Sequence, residues 1–80
     1  MDTKLKVYGA KTCPDTQRAR RFLEEHNIPY AWIDVDEDPE ALALIKSVNN
    51  GQRTTPTIFF EDGSIQFEST NEQLAQTLGL

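Results

Sequence analysis

Gly9-Ala10-Lys11-Thr12-Cys13-Pro14-Asp15-Thr16 joins an alternating apolar stretch to a run of helix-forming residues, and it carries the only cysteine in the chain. Ahead of it, Leu5-Lys6-Val7-Tyr8 alternates apolar and polar side chains and stops at Gly9, the pattern of a short strand. After it, Thr12 is placed to cap a helix and Pro14 suits the first turn. The segment runs to about Glu25, with Ala19, Phe22 and Leu23 forming one apolar stripe. A thiol at such a junction faces the positive end of the aligned peptide dipoles. That environment favours the thiolate, which is the reactive form.

The same punctuation continues along the chain. Asn27-Ile28-Pro29 ends the first helix, and Tyr30 to Val35 reads as a second strand. Asp36-Glu37-Asp38 caps a second helix with Pro39 at its first position and Ala41, Leu42, Leu44, Ile45 and Val48 as its buried face. Asn49-Asn50-Gly51 stops it. Beyond Pro56, Thr57 to Phe60 forms a third strand, and Glu61-Asp62-Gly63-Ser64 turns tightly into a fourth at Ile65-Gln66-Phe67. Either Ser69 with Glu72 or Thr70 with Gln73 supplies a capping box for a last helix that buries Leu74 and Leu78. The order βαβαββα implies an α/β fold: strands one and two parallel, strands three and four antiparallel, helices on both faces of a mixed four-stranded sheet. Cys13 follows the carboxyl end of strand one, the edge where reactive groups gather in α/β units.

Eighty residues imply one domain spanning 1–80 with a single shared core. The net charge of −5 argues against nonspecific nucleic-acid binding. One cysteine and one histidine, His26, exclude a disulfide framework and a self-contained metal site. No apolar run is long enough to span a bilayer, and Met1-Asp2-Thr3-Lys4 lacks the apolar core of a leader, so a cytoplasmic location is expected. Acidic residues cluster at Asp34, Asp36, Glu37, Asp38 and Glu40, whereas Lys11, Arg18, Arg20 and Arg21 surround the cysteine. The latter set implies a local positive field, although Arg20 and Arg21 read equally well as a solvated helix face.

Cys13 reads as a nucleophile; the alternative is a buried structural cysteine, which its position between polar Thr12 and Pro14 suits poorly. Asp15 should raise the thiol pKa by like-charge repulsion, and Lys11 and Arg18 should oppose it. The Thr16 hydroxyl either donates to the thiolate one turn back or merely occupies a helix position. Tyr8 either lines a groove or packs. Trp32 and Phe22 read as core, and His26 as a surface residue at a helix end.

Taken in order and spacing, Val7-Tyr8, Thr12-Cys13-Pro14, Ile33-Asp34-Val35-Asp36 and Gly51-Gln52-Arg53-Thr54-Thr55-Pro56 resemble the glutaredoxin family of the thioredoxin-fold superfamily, over nearly the whole chain. The hairpin Phe60-Glu61-Asp62-Gly63-Ser64 and the spacing onward to Glu72 look most like the actinobacterial mycoredoxin branch. The resemblance implies a thioredoxin-like βαβαββα fold and a monothiol oxidoreductase that reduces mixed disulfides between proteins and a low-molecular-weight thiol, glutathione or mycothiol-like. It implies no tightly bound cofactor, no metal, no membrane or nucleic-acid partner, and a monomer acting on disulfide-containing proteins. Pro56 should be cis, with Thr55 presenting its backbone to an incoming thiol or peptide. Gln52 and Arg53 would face one carboxylate of a thiol-peptide, and the start of the last helix near Ser69, Thr70 and Asn71 would receive the other through free backbone amides.

The chain departs from the family at five positions. Thr16 stands where dithiol members carry a second cysteine, and Asp15-Thr16 differs from the monothiol Gly-Phe-Ser pattern. Ala10 replaces a common lysine, and Gln66-Phe67 replaces a Gly-Gly pair, which points to a thiol other than glutathione. Two further readings belong to other classes: a [2Fe–2S] cluster shared between two protomers, or a redox-silent module binding peptides through Thr55.

Overall fold

The computed structural model describes residues 5–80; Met1 to Lys4, read above for the absence of a leader, lie outside them. The elements are β1 (Lys6–Gly9), α1 (Pro14–Glu25), β2 (Ala31–Asp34), α2 (Pro39–Ser47), β3 (Thr57–Phe59), β4 (Ile65–Phe67) and α3 (Asn71–Leu78). The sheet order is β2-β1-β3-β4. β1 and β2 run parallel with Tyr8 opposite Ile33, while β1–β3 and β3–β4 are antiparallel, pairing Tyr8 with Thr57 and Thr57 with Phe67. This register puts the carboxyl end of β1, the start of β3 and the end of β4 on one edge.

Side-chain alternation along β1 divides the apolar residues between the two faces of the sheet. Val7 joins Leu5, Ala19, Leu23, Ile58, Phe60 and Leu74 in a layer under α1 and α3, and Tyr8 joins Val35, Ala41 and Ile45 under α2. The helices begin where their caps dictate. The Asp38 carboxylate accepts from the Glu40 and Ala41 amides, each at 3.1 Å, with Pro39 filling a position that needs no donor. At α3 the Thr70–Gln73 capping box is the one formed, and Gly79 closes the helix in the left-handed region at φ 76°.

Three expectations change. The N-cap of α1 is Cys13 rather than Thr12, and its side chain makes no capping hydrogen bond in the thiol form. Leu44 is 39% exposed instead of buried. At about 100° per residue, Ala41, Leu42 and Ile45 centre the buried face of α2 and leave Leu44 roughly a quarter-turn outside it. Trp32 is only half-buried, because β2 is an edge strand with nothing beyond it to cover the ring. The Arg20 guanidinium lies over it instead, 4.0 Å from the ring centroid. Among the described residues no helix is long and apolar enough to cross a membrane.

Candidate active site

Cys13 sits where the chain leaves β1 and enters α1. Its N–H donates to the Ala10 carbonyl at 3.1 Å, and its own carbonyl accepts from Gln17 at 3.0 Å, so the backbone is fixed on both sides. The residue is half-buried, in extended conformation at φ −79°, ψ 119°. Facing it is the loop before β3. The Thr55–Pro56 bond is cis as expected, and the Cys13 thiol donates to the Thr55 carbonyl at 3.7 Å.

That loop is pinned from both ends. Asn49 Nδ2, just past α2, donates to Thr54 Oγ1, and Thr57 Oγ1 donates to the Thr54 carbonyl, each at 2.6 Å. The Pro56 carbonyl accepts from the Glu68 amide at 2.9 Å, tying the loop to the end of β4. Among the described residues, no backbone–backbone hydrogen bond uses the Thr55 N–H or C=O; the C=O accepts from the Cys13 thiol, which leaves it on ionisation, and the N–H faces an incoming chain.

Burial pushes the Cys13 thiol pKa up, but hydrogen bonding outweighs it and the net shift is downward from 9.0. The donors are the Thr55 side chain, the Thr16 amide and side chain, and the Asp15 amide. Thr55 thus acts in both senses: its carbonyl receives the protonated thiol, and its hydroxyl favours the thiolate. Thr16 is fully buried, and among the described residues its Oγ1 has no hydrogen-bond partner while Cys13 is protonated. These two observations agree if sulfur becomes its acceptor only on ionisation.

The charged neighbours point elsewhere. Lys11 Nζ lies 3.9 Å from Asp34 and 3.6 Å from Glu37, away from the sulfur. Arg18 reaches across to α3, donating at 2.6 Å to both Asn71 Oδ1 and the Ser69 carbonyl, with Asp15 at 4.0 Å. Hydrogen bonding, not a neighbouring cation, therefore lowers the thiol pKa. Arg53 is paired with Asp36 at 2.5 Å, and Gln52 is exposed beside it.

At the start of α3, Ser69 is 1% exposed and its hydroxyl donates to Gln66 Oε1 at 2.6 Å. Thr70 accepts from the Gln73 amide at 3.1 Å and its own N–H goes to Gln73 Oε1 at 2.9 Å. Tyr8 packs rather than lining the groove: it is buried under α2, with its ring 5.1 Å from that of Phe59. Its phenol pKa is raised by burial and then by Asp38.

Three contributing residues gave no signal for this role in the sequence. Gly9 gives Thr16 its space, Asn49 anchors the cis-proline loop, and Asn71 receives Arg18. Gly9 stood out only as the end of a strand, Asn49 as part of a helix stop, and Asn71 as part of a helix start. A hollow of about 300 Å³ lined by Leu5, Ile28, Pro29, Phe60 and Leu78 lies at the opposite end of the sheet from Cys13.

A half-buried thiol at a helix N-terminus, opposed by a cis-proline loop across the end of a β2-β1-β3-β4 sheet, defines a redox protein of the thioredoxin fold. The glutaredoxin family model matches residues 5–65, and the chain belongs to the glutaredoxin family. It is similar to Mycoredoxin 1 of Corynebacterium glutamicum, 35% identical over 72 residues that cover 90% of this chain and 85% of that one. Among solved structures it superposes on a point mutant of a thioredoxin-like protein with a TM-score of 0.82 at 29% identity, covering 94% of this chain and 99% of the other. The glutaredoxin of Archaeoglobus fulgidus shares the fold, with a TM-score of 0.77 at 22% identity over 95% of this chain and 86% of that one.

Proposed function

We propose that the protein is a thiol–disulfide oxidoreductase that works with Cys13 alone, removing a small thiol from protein mixed disulfides. One observation carries this reading: the single sulfur, its pKa lowered by surrounding donors, faces the backbone of Thr55, which among the described residues makes no hydrogen bond to another backbone group. The protein strand bearing the mixed disulfide pairs with Thr55 as an added strand. The Cys13 thiolate attacks the small-thiol sulfur, a Cys13–small-thiol disulfide forms, and the protein sulfur leaves as thiolate and takes a proton from water. A second small thiolate then attacks the sulfur of the bound small thiol. The two small thiols depart as a disulfide, and Cys13 returns as thiolate. No second protein thiol is needed, and the chain has none.

The charge pattern favours a small thiol with an uncharged body, such as a mycothiol-like sugar conjugate, over glutathione. Lys11, Arg18 and Arg53 are each held by the protein's own acceptors, and the Thr70–Gln73 box already uses two amides near the start of α3. Asp15 and Glu68 flank the same edge and are exposed. A tripeptide with two carboxylates would have to displace these pairs, whereas hydroxyl groups can share them. The test is a coupled turnover assay on mixed disulfides of both thiols. Turnover should be faster with the uncharged thiol and absent in Cys13→Ser. Failure to turn over either substrate would refute the reading, and equal rates would remove the preference.

A further inference from the structure

The outer strand β2 is half-buried along its whole length, Ala31 to Asp34, whereas β1 beside it is buried from Val7 to Gly9. Guarded edges carry lysine, proline or an inward charge, and Ala31-Trp32-Ile33 has none of these. The Ala31 N–H donates to the Leu5 carbonyl at 2.9 Å and the Val35 N–H to the Gly9 carbonyl at 3.0 Å. Backbone groups alternate in direction along a strand. Ile33 therefore shares that inner row, and the N–H and C=O of Trp32 point away from β1.

Apolar surface flanks these outward groups on both faces of the sheet. On the α1 face Trp32 is half-buried, and a hollow of about 580 Å³ opens beside it, rimmed by Lys11, Asp34 and Glu37. On the α2 face Ile33 and Leu44, which is 39% exposed, line a second hollow of about 260 Å³.

Charge decides what fits this edge. A half-turn about an axis at Trp32 sets that residue opposite the partner's Trp32, and sets Tyr30 opposite the partner's Asp34. Residues opposite one another in antiparallel strands lie on the same face. Arg20 Nε donates to the Tyr30 hydroxyl at 3.1 Å, so its guanidinium stands where the carboxylate of the partner's Asp34 arrives. Ile33 falls opposite the partner's Ala31, which is small enough to leave room for Leu44. The edge thus complements itself, cation against anion on one face and apolar against apolar on the other.

We propose that β2 pairs antiparallel with β2 of a second copy, joining two four-stranded sheets into one across a two-fold axis at Trp32. Trp32 then exchanges both backbone bonds with the partner's Trp32, and the Asp34 N–H donates to the carbonyl of the partner's Tyr30. The Asp34 carbonyl already accepts from the Glu37 and Asp38 amides, so the pairing ends there. The Thr55 loop lies on the other side of β1, towards β3, and the Cys13 groove stays open in both copies. A net charge of −5 on each copy opposes association, so the dimer forms only at high protein concentration.

Sedimentation equilibrium of the full chain tests this, under dithiothreitol so that no disulfide forms. It is run at about 0.15 M salt, where charges are screened beyond about 8 Å. The mass should rise from that of one chain towards that of two between micromolar and millimolar protein. Trp32 is the only tryptophan, so acrylamide quenching of its fluorescence should fall as the mass rises. Leu44→Lys puts a charge at an exposed position of the interface and should abolish both changes. If circular dichroism shows that variant unfolded, Arg20→Glu, which sets like charges against each other at the partner's Asp34, must show the same loss. A wild type that stays a single chain at millimolar concentration overturns the proposal. Association that persists in the variant, or that leaves Trp32 quenching unchanged, places the contact elsewhere and overturns it too. Quenching that falls only when a strand peptide of another protein is added assigns the edge to that partner and equally refutes a second copy. None of these readouts needs turnover, so they stand or fall apart from the thiol chemistry.

Discussion

Replacing Gly9 with alanine tests the packing beneath the cysteine. An ideal Cβ at this position would meet Thr16 Cγ2 at 2.6 Å, Oγ1 at 2.7 Å and Cβ at 3.2 Å. Contacts that short cannot persist, and neither partner yields easily. Gly9 is fixed by pairing with Asp34 on β2, and Thr16 is enclosed in the first turn of α1. Overpacking of this kind costs about 1–3 kcal/mol. Restricting the unfolded chain returns about 0.4–1 kcal/mol, since a glycine is being replaced. The net loss should be about 1–2 kcal/mol, against a total of about 4–12 kcal/mol for a chain of this length. Urea unfolding measures it. With a slope near 1 kcal/mol/M, the midpoint should fall by about 1–2 M with the slope unchanged.

The double variant Gly9→Ala/Thr16→Ala identifies the cause. Shortening Thr16 removes the two nearest of the three atoms, leaving its Cβ at 3.2 Å, so the two changes should be strongly non-additive, with a coupling of about 1 kcal/mol or more. A Gly9→Ala protein as stable as the wild type would show that α1 shifts freely on β1. Simple additivity in the double variant would show that the clash lies elsewhere. Either outcome would break the argument that Gly9 fixes Thr16.

Two other expectations concern the caps. Because the folded pKa of Cys13 is depressed, the stability its thiolate contributes is fully present above the unfolded value of 9.0 and is lost as the pH falls through the folded value. The stability difference between the wild type and Cys13→Ala, which cannot titrate, should therefore shrink towards acid in denaturant titrations; a difference independent of pH would contradict it. Thr70→Ala removes the reciprocal Thr70–Gln73 pair at the start of α3, whose Leu74 is fully buried. It should cost about 1 kcal/mol, or roughly 4–8 °C in a thermal melt, and an unchanged melt would show that the Arg18–Asn71 bond alone holds that end.

The sequence by itself determined the order of elements and the place of the thiol. Pro14, Pro39 and Gly51 mark helix ends through backbone conformations that depend only on adjacent residues, and the alternation in β1 and the Asp62-Gly63 hairpin are equally local. The position of Cys13 at the strand-to-helix junction follows from them. The likeness to the glutaredoxin family made the cis proline legible, although no local pattern shows it. What tertiary structure decided lies between residues distant in the chain. Arg18 reads locally as a cation beside Cys13, yet its partners are 51 and 53 residues away, which turns it from the thiol towards α3. Tyr8 and Trp32 differ in burial because sheet order puts β1 inside and β2 at the edge. Ser69 and Thr70 were equal candidates for a cap until β4 placed Gln66 against Ser69. The sequence left the Thr16 hydroxyl between two readings, and its burial without a partner among the described residues was not legible, since that comes from α1 lying on the bare backbone of Gly9. Local conformational preference sets where elements start and stop, whereas the partner of each buried polar group is chosen only when the sheet brings those elements together.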